Sequence, residues 1–85
     1  MFELFIHSHA QRFLAKLERD TCSRIIRAIE GLSDDPIPHD SKRVVGSKEK
    51  LFRIRVGKFR VLYSVDYEER TIVVIKVDSR ERAYY

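Results

Sequence analysis

The stretch LFRIRVGKFRVLY, residues 51–63, decides the fold. Side chains of a β-strand alternate between its two faces. Phe52, Ile54 and Val56 therefore share one face of a first strand, and Leu51, Arg53 and Arg55 share the other. In a returning strand, Phe59, Val61, Tyr63 and Val65 form one set, and Arg60, Leu62, Ser64 and Asp66 the other. Gly57-Lys58 between them suits a two-residue type II′ turn, which takes glycine at its first central position. That turn pairs Val56 with Phe59, Arg55 with Arg60 and Arg53 with Leu62. The apolar sets then coincide on one face, which becomes the core, and Arg53, Arg55 and Arg60 converge on the other. Like charges on paired strands repel. The cluster is either a solvated face or the seat of an anion, and arginine forks match phosphate bidentately.

Outward from the hairpin, a third strand is expected near 71–77, TIVVIKV. Lysine rarely points into a core. Lys76 thus orients this strand with Val73, Ile75 and Val77 inward, and with Ile72 and Val74 on the arginine face as an apolar floor. Toward the N-terminus, FELFIH (2–7) reads as a short strand. SHAQ (8–11) reads as a capping box, with Ser8 as N-cap and Gln11 three residues on. Ala10, Phe13, Leu14 and Leu17 follow at helical spacing, and this helix is expected to end near Glu18–Asp20. Thr21 is placed to cap a second helix with Cys22, Ile25, Ile26, Ile29 and Leu32 as its apolar stripe. The short link predicts an antiparallel helical hairpin. SDDPIPHDS (33–41) is a breaker-rich loop, and KRVVGSKEK (42–50) a basic connector without a clear strand or helix pattern. The order is β-α-α-β-β-β. It predicts a single α+β domain over residues 1–85, with the helical hairpin packed on a mostly antiparallel sheet.

Charge is unevenly spread. The chain carries +4 in total, but residues 42–60 hold eight Lys/Arg against Glu49 alone, +7, leaving −3 elsewhere. Such polarity points to an anionic partner, nucleic acid being the commonest. The single cysteine, Cys22, excludes an internal disulfide framework and fits a reducing compartment. Its helical neighbours make it a packed thiol. No stretch approaches the roughly 18 apolar residues of a membrane span. MFELFIHSHAQRF has an early acid and no small-residue cleavage site, so it does not read as a signal peptide. Cytoplasmic residence is the resulting expectation. His7 and His9 have no evident third metal ligand, and His39 lies in a polar loop. Asp34-Asp35 and Glu68-Glu69 read as turn residues. No metal and no cofactor is expected.

With these residues in place, the chain resembles the RelE/ParE superfamily of toxins from type II toxin–antitoxin pairs. The hairpin LFRIRVGKFRVLY, the tail KVDSRERAYY, the size and the element order carry the resemblance over nearly the whole chain. The tail, with Arg80, Arg82 and Tyr84 or Tyr85, favours the RelE side. The resemblance implies a ribosome-dependent, metal-independent endoribonuclease that cuts mRNA in the A site. It implies a RelB-like antitoxin as partner, and operator DNA contacted only through the antitoxin complex. Arg60, Arg80, Arg55 and Tyr84 are the implied catalytic residues, and Arg53, Lys58, Lys76 and Arg82 the implied RNA contacts. Active relatives carry lysines where this chain has Arg53 and Arg55. Arginine stays protonated in proteins, so the resemblance leaves the proton acceptor unassigned. Two other functions fit the same fold: a ParE-like inhibitor of DNA gyrase, and a silent nucleic-acid- or antitoxin-binding module.

Overall fold

The structure is a computed structural model that describes residues 1–44 and 50–79 of the 85-residue chain. The elements are β1 (Glu3–Ile6), α1 (Ser8–Ala15), α2 (Arg19–Gly31), β2 (Lys42–Arg43), β3 (Leu51–Val56), β4 (Phe59–Asp66) and β5 (Thr71–Ser79). The strands form one sheet in the order β1-β5-β4-β3-β2. Its pairs are antiparallel except β1 with β5, which run parallel. The two helices pack on one face of the sheet, and no described helix covers the other. This is the expected α+β arrangement, with one strand more than the sequence pattern suggested. Lys42 and Arg43 of the basic connector pair with Arg53 and Phe52 and extend the sheet by a short edge.

The β3–β4 hairpin takes the register derived from its turn: Val56↔Phe59, Arg55↔Arg60, Ile54↔Val61 and Arg53↔Leu62. Gly57 has φ of 60°, while Lys58 keeps a negative φ, as a type II′ turn requires. Phe52, Ile54, Phe59, Val61, Tyr63 and Val65 are all buried. They meet Ala10 and Leu14 of α1, and Ile25, Ile29 and Leu32 beneath α2, in a single core. Cys22 is partly buried against that core as a free thiol.

Two expectations about local structure are corrected. The first helix is capped by His7, not Ser8: the His7 imidazole accepts from the His9 backbone N–H at 3.2 Å. Gln11 reaches back to donate to the Ile6 carbonyl at 2.7 Å instead of closing a box on Ser8. The helix then stops at Ala15, and α2 begins at Arg19 behind Glu18, ahead of the Thr21 expected as its cap. The apolar spacing continued through Leu17, but Lys16 and Leu17 close the helix with i→i+3 bonds to Phe13 and Leu14.

The larger correction concerns β5. Ile72 and Val74, expected on the arginine face, are fully buried in the core together with Val77. Val73 and Ile75, expected inside, are only partly buried. The reason is a register shift: Leu62 faces Lys76, but Tyr63 faces Val74, so Ile75 is an extra residue with no partner on β4. A β-bulge of this kind breaks the alternation of the strand. Alternation counted back from Lys76 holds as far as the bulge and inverts beyond it. The loop 67–70 enters this register through Asp66, whose carboxylate accepts from the Glu68 and Glu69 N–H groups, and through Arg70 at φ 50°.

Tyr63 shows how tightly the core closes. Its ring is fully buried, and its hydroxyl donates to the Pro36 carbonyl at 2.8 Å, tying the 33–41 loop to the sheet. Burial first, and the nearby Asp35 and Asp40 charges among smaller causes, push its pKa from 10 up to about 12. The folded state therefore holds this proton where the unfolded chain releases it. Its contribution to stability is complete below pH 10 and is lost as pH rises toward 12. Tyr63→Phe is expected to cost about 1 kcal/mol at neutral pH through the lost hydrogen bond. It should also flatten the alkaline loss of stability, read by urea unfolding at a series of pH values. Gly57→Ala should cost about 1–2 kcal/mol, because alanine disfavours the left-handed conformation; the same unfolding measurement tests it.

Candidate functional site

The hairpin register places Arg53, Arg55 and Arg60 on the open face of the sheet. Neighbouring strands add to them. Lys42 of β2 lies across from Arg53, while Lys76 and Asp78 of β5 lie across from Leu62 and Arg60. Five cations from four adjacent strands thus share one patch. Arg53, Arg55, Lys42 and Lys76 are exposed, whereas Arg60 sits deeper, with 25% of its side chain exposed.

The patch is concave. A cleft of about 390 Å³ is lined by Lys42, Arg53, Arg55 and Arg60 together with Asp40. A second hollow of about 210 Å³ is lined by Arg53, Arg60, Lys76 and Asp78 over the apolar Val44 and Leu62. Arg53 and Arg60 border both. The floor of this face is Leu62 and Val44, not the Ile72 and Val74 that alternation alone had placed there. Arg55 and Arg60 are direct cross-strand partners, an arrangement that is unfavourable for like charges and that a bound anion relieves. Planar guanidinium forks on a rigid hairpin can grip phosphoryl oxygens in pairs, and the apolar floor leaves room for a base or sugar beside them.

Within the patch, Asp78 is the acid that sequence reasoning missed. Its Oδ1 lies 3.8 Å from Arg60 Nε, and its Oδ2 lies 3.6 Å from Lys76 Nζ. The signal was available: alternation from Lys76 carries outward to position 78 once the strand is extended to Ser79. Lys42 was hidden because a two-residue edge strand has no readable period.

One other expected site residue falls elsewhere, and the rest lie outside the described residues. Lys58 lies at the hairpin tip on the helical side, in a hollow with Thr21 and Arg24, its Nζ 5.8 Å from the Phe59 ring centre. Arg80, Arg82, Tyr84 and Tyr85 lie outside the described residues; β5 is described to Ser79, opposite Phe59 at the hairpin end of the sheet. Among the described residues no cluster of three or more His, Cys, Asp or Glu side chains is placed to hold a metal. No helix among them is long and apolar enough to cross a membrane.

Comparison with known proteins converges on one family. The model of the family described as the ParE toxin of the type II toxin–antitoxin system parDE matches residues 4–84. A protein of Methanocaldococcus jannaschii assigned as toxin RelE1 is 38% identical, over 98% of this chain and 94% of its own. Among solved structures, the archaeal RelE–RelB complex from Pyrococcus horikoshii superposes with a TM-score of 0.84 at 27% identity, covering 95% of this chain and 97% of the other. The toxin–antitoxin complex RelBE2 of Mycobacterium tuberculosis gives 0.81 at 28% identity, covering 93% and 98%. The chain belongs to the RelE/ParE superfamily and is a RelE-like toxin of a type II toxin–antitoxin system.

Proposed function

We propose that this toxin is an endoribonuclease that cleaves mRNA in the ribosomal A site, in the cytoplasm, and so stops translation. The observation that carries this reading is the grouping of Arg53, Arg55 and Arg60 around one cleft on the open sheet face. RNA cleavage without a metal uses the ribose 2′-hydroxyl as nucleophile on the adjacent phosphate. The transition state then gathers negative charge on the phosphoryl oxygens, and fixed cations stabilise it. Arg60, the least exposed of the three arginines, clamps those oxygens, with Arg55 across the hairpin as the second charge. Arg53 and Lys76 hold the flanking backbone, and Lys58 extends the positive potential around the hairpin tip. Arg80 and Tyr84 complete the catalytic set and Arg82 the RNA contacts, as the tail motif implies. Tyr84 is suited to stack on a base or to take part in proton transfer.

The partner in this reading is a RelB-like antitoxin, as in the solved complexes of the relatives from Pyrococcus horikoshii and Mycobacterium tuberculosis. Operator DNA is contacted through that antitoxin. A second reading, inhibition of DNA gyrase, draws on the family model, which is described by ParE. The cationic cleft is better matched to a nucleic-acid phosphate than to that protein target.

Purified toxin is expected to cut mRNA on A-site-programmed ribosomes, and intact mRNA together with inhibited gyrase supercoiling would establish the second reading instead. Arg60→Ala should lower the cleavage rate about 10²–10³-fold, the scale of a lost transition-state donor, with an unchanged melting temperature. Arg53→Ala should chiefly weaken RNA binding and reduce its log–log salt slope by about 0.7, as for one lost single-strand phosphate contact. A salt titration of binding to a single-stranded RNA checks this.

A further inference from the structure

The arginines account for charge stabilisation but not for removal of the 2′-hydroxyl proton. Arginine stays protonated and cannot accept it. Among the described residues, two carboxylates line the hollows of the patch: Asp40 and Asp78. Asp40 is exposed on the loop before β2, whereas Asp78 sits within the β5 ladder, directly across from Arg60.

We propose that Asp78 is the general base of this site, an inference that rests on the mRNA-cleavage reading. Its carboxylate meets Arg60 through Nε, at 3.8 Å, which leaves the terminal guanidinium nitrogens for a phosphate. A phosphodiester clamped on that outer edge lies beside the carboxylate. Lys76 Nζ, 3.6 Å from Oδ2, holds the carboxylate from the other side, and Arg53 lines the same hollow. An ionised carboxylate only accepts hydrogen bonds, and a rigid strand positions it better than a loop would. In the step itself, an Asp78 oxygen takes the 2′-hydroxyl proton as the 2′-oxygen bonds to phosphorus. The bond from phosphorus to the 5′-oxygen breaks, and that oxygen takes a proton from water. The products are a 2′,3′-cyclic phosphate and a 5′-hydroxyl. Asp78 then returns its proton to solvent.

The test uses programmed ribosomes with the wild type, Asp78→Asn and Asp78→Ala. Asp78 lies at the surface with 23% of its side chain exposed, so neither substitution opens the core. Single-turnover cleavage by Asp78→Asn should fall about 10²–10⁴-fold, the usual contribution of a positioned base. Binding of Asp78→Asn to ribosomes carrying an uncleavable mRNA, 2′-deoxy at the scissile nucleotide, should be undiminished. Added formate should restore part of the cleavage by Asp78→Ala, which a merely structural role would not produce. Cleavage by Asp78→Asn close to the wild-type rate would overturn the assignment of the base and leave the mRNA reading intact. A loss of cleavage matched by an equal loss of binding would do the same. A wild type that leaves mRNA uncut on these ribosomes would overturn both.

Discussion

Everything on the open face depends on the two-residue turn at Gly57-Lys58. The turn sets the pairing of β3 with β4, and side chains in a sheet have a period of two. A slip of β3 by one residue would carry Phe52 and Ile54 to solvent and bury Arg53 and Arg55. The energetic gap between those registers is therefore the whole apolar face, on the order of 1.5–3 kcal/mol for each large side chain. That gap is what allows Arg55 and Arg60 to stand directly opposite one another. Their repulsion is a small cost set against the core on the reverse side of the same strands. Core and charge cluster are two faces of one register.

The bulge at Ile75 plays the complementary part on β5. It lets Ile72 and Val74 join Val77 in the core while Lys76 and Asp78 still face outward. An unbroken alternation would have forced a choice between burying the first half of the strand and presenting the second half to the arginines. The unpaired residue removes that conflict for the loss of local ladder bonding. It also aligns Asp78 with Arg60, so the acid in the patch is placed by a backbone irregularity.

The patch is thus more than a basic surface. A purely cationic groove binds phosphate and stabilises its developing charge, but it accepts no proton. An acid held between Arg60 and Lys76 gives the same groove a proton acceptor beside its charge clamp. In this chain Arg53 and Arg55 carry charge without the capacity to accept a proton, so the proposed cleavage takes its proton acceptor from another side chain.

The sequence by itself determined the element order apart from the edge strand β2, the hairpin register and the convergence of Arg53, Arg55 and Arg60. These follow from local chemistry: a glycine that tolerates positive φ, a strict period of two and the cost of burying charge. Its resemblance to the RelE/ParE toxins rested on the hairpin, the element order, the size and the tail KVDSRERAYY together. The tertiary structure decided what local patterns cannot encode. His7 capped the first helix because the chain turns out of β1 at that residue, one position before Ser8. Lys42 joined the patch because an edge strand of two residues is specified by its partner, not by its own periodicity. Ile72 and Val74 went inside because long-range packing against the helices outweighed regular pairing and broke the ladder at Ile75. Asp78 came to face Arg60 for the same reason. Alternation is a property of one strand, but the place where it fails is chosen by the layers on either side.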